Sequence, residues 1–112
     1  MINGAVIGSP IKHSLSPLLH KSAFEFLGVE GQYSPIEVVS GDLATFFEDN
    51  KDRFEYFSIT MPLKEEALEL PVVKDSLVTK IQSANTLYRR DDTWHLTSTD
   101  GSGLIAALES RN

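Results

Sequence analysis

Apolar positions along this chain come in short runs, separated by breaks rich in proline, glycine and hydroxyl residues. Gly4-Ala5-Val6-Ile7-Gly8 is an apolar run bounded by glycines and predicts a buried strand. A loop follows, and then a helix start: Ser16 suits the N-cap, and Pro17 the first helical position, where a missing N–H costs nothing. Leu19, Ala23, Phe26 and Leu27 fall on one helical face, and Gly28 is the expected stop. Residues 33–39 predict a second strand, which Pro35 pushes to a sheet edge or to a late start. Ser40 is placed to cap a helix carrying Leu43, Phe46 and Phe47 on one face. Residues 55–60 are aromatic and β-branched and predict a third strand. Pro62 opens and Pro71 closes an expected helix over residues 63–70. Residues 72–80 read as helix, with Val73, Leu77 and Ile81 spaced by four.

Residues 84–89 and 94–98 predict two strands joined by the polar turn Arg90-Asp91-Asp92-Thr93, a β-hairpin. A loop at residues 99–103 leads to a last helix with Leu104, Ile105 and Leu108 together. Strands and helices that alternate imply a three-layer α/β/α domain. Its sheet is mostly parallel, with one antiparallel strand contributed by the C-terminal hairpin. No internal repeat or linker divides the chain, so residues 1–112 are expected to form one domain.

Composition narrows the function classes. The 112 residues are 41% hydrophobic, enough for a core, and the net charge of −6 with no basic patch argues against a nucleic-acid partner. Without cysteine there is no disulfide framework and no thiolate chemistry. No apolar run approaches the length of a membrane span, and the start lacks a secretory signal. A cytoplasmic protein is the expectation, with no metal site.

Candidate chemistry lies where strands end, because ligands of open parallel sheets bind outside the carboxyl ends of the strands. Ser14 and Ser16 sit beside the expected helix start, where free N–H groups and the dipole favour a carboxylate. Capping alone accounts for Ser16 but not for Ser14. Lys64 falls in the first turn of the expected helix over 63–70, against the dipole, whose field would lower its pKa and suit proton transfer. A solvated surface lysine is the plainer reading. Ser83-Ala84-Asn85-Thr86 and Ser98-Thr99-Asp100-Gly101 form the third cluster, in which Asn85 and Asp100 read equally as turn and cap residues. Gly101-Ser102-Gly103 lacks the third glycine of a dinucleotide loop, since Ala106 stands there.

Taken in order, four stretches resemble the N-terminal domain of the shikimate dehydrogenases: residues 8–17 (GSPIKHSLSP), residues 59–64 (ITMPLK), Ala84-Asn85-Thr86-Leu87 and Thr99-Asp100-Gly101. The resemblance implies reversible reduction of 3-dehydroshikimate to shikimate with NADP. It implies that Ser14 and Ser16 bind the substrate carboxylate and that Thr60, Asn85 and Asp100 hold ring hydroxyls. Lys64 would act in proton transfer, paired with Asp100; these two are the expected catalytic residues. The chain departs from many relatives at Ser58 and Ser98, where they carry Asn, and at Ser83, where they carry Gly.

No cofactor-binding residue is expected in this chain, because the family's NADP-binding domain and returning C-terminal helices are missing from it. The isolated chain is therefore expected to be inactive, and to self-associate through the surface that a missing domain leaves, with Leu104, Ile105 and Leu108 as candidates. Two further functions are weighed: a stand-alone binding module for shikimate-like or quinate-like acids, and a remnant serving as an interaction surface.

Overall fold

The structure, a computed structural model, describes residues 2–11, 24–25, 28 and 30–98. Strand β1 (Ile2–Gly8) is buried at nearly every position, as an internal strand covered on both faces must be. It pairs in parallel with β2 (Gly31–Glu37) on one side and β3 (Tyr56–Ile59) on the other. The antiparallel hairpin β5 (Thr86–Arg90) and β6 (Thr93–Thr97) continues the sheet from β3. A short strand, β4 (Val73–Lys74), closes the far edge, parallel to β6. The order is β2-β1-β3-β5-β6-β4, with β5 running against the other five strands of the six-stranded sheet. The expected single antiparallel strand is thus present. Pro35 stands in β2 at the sheet edge, where its missing N–H breaks no ladder.

Alternation along the strands divides the core in two. Ala5, Ile7, Phe57, Ile59, Leu87, Trp94 and Leu96 share one face with Leu43 and Phe47 of helix α1 (Leu43–Asn50) and Val78 of helix α2 (Ser76–Ile81). Phe57 is its centre, fully buried, stacked on Trp94 at 5.6 Å and meeting Phe54 at 5.0 Å. On the opposite face Tyr56 stacks on Tyr33 at 5.6 Å and takes the edge of helical Phe24 at 6.3 Å. Gly4 makes room for that ring, since a Cβ there would lie 2.3 Å from Tyr56. Gly28, with φ of +69°, follows the helical residues Phe24 and Glu25, as a C-terminal stop requires.

Several expectations are corrected. The second strand begins two residues earlier than residue 33. The stretch 63–70 is not an α-helix: it is a turn followed by a 3-10 helix, Glu66–Glu69. Pro71 holds Leu70 in extended backbone (φ −70°, ψ 147°) and so ends the helical turn there.

The stretch 72–80 splits into β4 and α2, because the Asp75 side chain accepts the Val78 N–H at 2.9 Å and so fixes the helix start. Val73, Leu77 and Ile81 are consequently not a core stripe. They are 50%, 41% and 53% exposed, while Val78 is fully buried. Ser40 does not cap α1 either; that role falls to Glu66. The hairpin turn lies at Asp91 and Asp92, both with positive φ (52° and 63°), the two-residue geometry matched to strand twist. The stripe Leu19, Ala23, Phe26 and Leu27, the expected cap Ser16 and the last helix lie outside the described residues. No helix among the described residues is long and apolar enough to cross a membrane.

Candidate active site

The carboxyl ends of β1, β3 and β6 and the beginning of β5 lie along one rim of the sheet. This follows from β1, β3 and β6 sharing a direction that β5 opposes. β1 leaves through Ser9-Pro10 and β3 through Met61-Pro62, both with cis peptide bonds. The two exits are bonded together: the Thr60 N–H donates to the Ile7 carbonyl at 3.0 Å and the Ser9 N–H to the Met61 carbonyl at 2.8 Å. Gly8 permits this approach. A Cβ on Gly8 would lie 2.4 Å from the Thr60 methyl and 2.5 Å from the Met61 oxygen.

Lys64 is carried on the turn after β3. The Leu63 N–H closes that turn on the Thr60 carbonyl at 3.0 Å, and the Leu63 side chain, fully buried, anchors it. The Lys64 carbonyl accepts the Ala84 N–H at 3.1 Å, while its side chain is exposed. No α-helix begins here; the one-turn 3-10 helix Glu66–Glu69 follows instead. Chain geometry, not a helix end, brings the lysine to the rim.

Asn85 joins β3 to β6. Its carbonyl accepts the Ile59 N–H at 2.7 Å, and its N–H donates to the Thr97 carbonyl at 3.0 Å. Its side chain is held as well: Nδ2 donates to the Ser98 carbonyl at 3.3 Å and Oδ1 accepts the Thr86 hydroxyl at 3.0 Å. The Ser98 hydroxyl donates to the Ser83 carbonyl. Thr60, Lys64 and Asn85 are therefore brought together, through backbone bonds between segments distant in sequence. Ser14, Ser16 and Asp100 lie outside the described residues.

Sequence reasoning missed three supporting residues: Gly8, Glu66 and Thr86. The Glu66 carboxylate accepts the N–H groups of Gly41 (2.9 Å) and Leu43 (3.1 Å) and the Ser40 hydroxyl (3.3 Å), while Asp42, at the N-cap of α1, makes no side-chain cap. No local spacing could reveal a cap supplied from more than twenty residues away; the Ser40 hydroxyl is its one trace in the sequence. A groove of about 370 Å³ lies elsewhere, lined by Glu37, Val38, Asp42, Thr45, Phe46, Asp49 and Asn50 and by none of Thr60, Lys64 and Asn85.

The profile of the shikimate dehydrogenase substrate binding domain matches residues 6–87. The chain belongs to that family. The NADP(+)-dependent shikimate dehydrogenase of Ignicoccus hospitalis is 39% identical over 105 residues, which are 94% of this chain and 40% of the relative. That of Rhizobium etli is 40% identical over 110 residues, 96% of this chain and 39% of the relative. The Thermus thermophilus shikimate 5-dehydrogenase solved with shikimate superposes with a TM-score of 0.84 at 32% identity, covering 98% of this chain and 42% of that one. The same enzyme has also been solved with NADP(H) and shikimate. This substrate-binding domain thus spans about two fifths of the length of the shikimate dehydrogenases it matches. The profile takes in Ser14, Ser16, Thr60, Lys64 and Asn85; Asp100 falls after it.

Proposed function

We propose that this domain binds shikimate and 3-dehydroshikimate as the substrate-binding part of an NADP-dependent shikimate dehydrogenase. The observation that carries the reading is the convergence of Thr60, Lys64 and Asn85 on the rim formed by the strand ends. Family membership and the relatives solved with shikimate support it.

In this reading Ser14 and Ser16 hold the substrate carboxylate. Thr60, Asn85 and Asp100 hold ring hydroxyls and set the ring's orientation. Reduction of the ketone places a hydride on its carbon and leaves negative charge on its oxygen. Lys64, oriented by Asp100, gives that oxygen a proton and stabilises the charge as it develops.

NADP, when bound, supplies the hydride. The described strand exits do not fit a dinucleotide. A phosphate cradle needs a glycine-rich turn of free N–H groups, and here Pro10 and Pro62, which lack N–H groups, occupy the exits of β1 and β3. The NADP-binding domain is assigned to polypeptide outside residues 1–112, and no step through NADP is given to this chain. The reading also makes the protein cytoplasmic and gives the separate domain a tendency to self-associate.

The test has two arms. Shikimate should bind the 112-residue chain saturably in a calorimetric or NMR titration. The chain alone should show no NADP reduction with shikimate, because no hydride acceptor is held near the ring carbon. Joining it to a shikimate dehydrogenase nucleotide-binding domain should restore turnover. Absence of any shikimate binding would overturn the reading. Binding without restored turnover would favour a stand-alone binding module.

A further inference from the structure

Leu63 and Ala67 are buried, and the three residues between them, Lys64, Glu65 and Glu66, are not. The backbone of this stretch is folded by the Leu63 N–H on the Thr60 carbonyl at 3.0 Å and by the Ala67 N–H on the Leu63 carbonyl at 2.9 Å. The Ala84 N–H ties it to the chain before β5 through the Lys64 carbonyl, at 3.1 Å. Among the described residues, Glu66 is the one of the three whose side chain is bonded. Its carboxylate accepts the N–H groups of Gly41 at 2.9 Å and Leu43 at 3.1 Å and the Ser40 hydroxyl at 3.3 Å.

These bonds act in both directions. For α1 the carboxylate is a cap, on N–H groups that have no partner within the helix. For Glu66 the start of α1 is an anchor, and a firm one, because Leu43 and Phe47 bury that helix in the larger core. Bonds to an ionised carboxylate are shorter and stronger than neutral ones. The anchor therefore fixes the chain two residues beyond Lys64, while buried Leu63 and the Ala84 bond fix it on the near side. Among the described residues no ion pair joins Glu66 to Lys64, so the carboxylate acts on the lysine through the backbone.

A lysine ammonium sits on a flexible four-carbon stem, so what a fold can fix is the point and direction from which that stem leaves the backbone. Proton transfer is sensitive to such placement, and a shift of about 1 Å can cost on the order of a hundredfold in rate. We infer that Glu66 is a positioning residue for Lys64: by binding the start of α1 it fixes the backbone that carries the lysine, and so contributes to proton transfer without touching the substrate. The inference rests on the substrate reading above. Without the carboxylate, Lys64 is held from one side, and its ammonium spends less time where the reacting oxygen needs it.

The experiment uses the 112-residue chain labelled with 15N and 13C. Glu66→Ala removes the carboxylate. Glu66→Gln keeps its length and one acceptor oxygen, and serves also should Ala fail to fold. Asp75→Ala removes the cap of α2, a loss of the same kind at the far edge of the sheet. Without ligand, the amide hydrogens of Ala67 and Ala84, whose acceptors are the Leu63 and Lys64 carbonyls, should exchange about tenfold faster in Glu66→Ala relative to amides of β1. Shikimate should shift the Lys64 side-chain resonances of the wild type, and at least half of that shift should be lost in Glu66→Ala. Joined to a nucleotide-binding domain, Glu66→Ala should lower kcat about tenfold or more and change KM little. Glu66→Gln should fall between it and wild type, and Asp75→Ala should leave all three readouts unchanged. Equal acceleration at every amide, the same losses in Asp75→Ala, or a normal kcat in a folded Glu66→Ala enzyme would overturn the inference. A wild-type chain that binds no shikimate would overturn the substrate reading itself, a result separate from the exchange rates, which report the hold on the Lys64 backbone without ligand.

Discussion

At the scale of single residues, the proposed chemistry falls to side chains whose backbones are held far more tightly than their tips. Lys64 is the clearest instance: its carbonyl is bonded to Ala84 while its side chain reaches solvent. In an enzyme assembled from this domain and a nucleotide-binding domain, Lys64→Ala should lower kcat by orders of magnitude with a smaller effect on KM. The reason is that charge on the reacting oxygen appears only in the transition state. Ser14→Ala should instead raise KM and spare kcat, since the substrate carboxylate is charged throughout. Steady-state kinetics separates the two, and a near-normal kcat in Lys64→Ala would remove the lysine from proton transfer.

Tyr56 makes a different case at the same scale. Burial pushes its phenol pKa well up, and the neighbouring Tyr33 and Glu55 push the same way. Below the unfolded value near 10 both states are protonated, and the group has no effect on stability. Above it the unfolded chain ionises while the folded one does not, so stability falls with rising pH, by up to about 1.4 kcal/mol per pH unit. Urea unfolding between pH 9 and pH 12 should show this slope, and Tyr56→Phe should flatten it. An equal slope in the variant would assign the alkaline loss to other groups.

At the scale of elements, the sheet is organised by patterns legible in the chain, and its connections by contacts that are not. β1, β3 and the hairpin follow from short β-branched and aromatic runs, and the edge placement of β2 from Pro35. The segment after β3 was misread as an α-helix because Pro62 resembles a helix opening. Pro71 sets where the segment stops, by holding Leu70 in extended backbone. Helix α1 depends on Glu66 rather than on a residue of its own. Glu66→Ala removes an acceptor from two helix-start N–H groups and a charge from the favoured end of the dipole. It should destabilise the domain by about 0.5–2 kcal/mol, read from the urea midpoint. An unchanged midpoint would mean that water replaces the carboxylate at no cost.

At the scale of the whole molecule, the domain spans about two fifths of the length of its relatives and carries apolar side chains at its surface. Val73, Leu77 and Ile81 are exposed together around the β4 edge and α2, and Met61 is 69% exposed beside the candidate site. Exposed apolar groups in proximity favour association, against the repulsion of a net charge of −6. Sedimentation velocity should therefore show dimers or larger species growing with concentration, more readily at higher salt, where that repulsion is screened. A single monomer boundary at every concentration and salt would count against self-association.

The sequence by itself determined the α/β alternation, the strand cores, the hairpin and the location of candidate chemistry at strand ends. These are local properties: side-chain period, turn residues and the position of prolines reflect the conformational preferences of a few consecutive residues. Tertiary structure alone decided which strand-end segments meet. The segments that carry Thr60, Lys64 and Asn85 are joined by backbone bonds across the strand order β1-β3-β5-β6, an order set by how the apolar faces of the whole sheet are buried. The Glu66 cap and the pairing of β4 with β6 follow from that order too. Each depends on burial or on a register between distant segments, and no window of neighbouring residues contains that information.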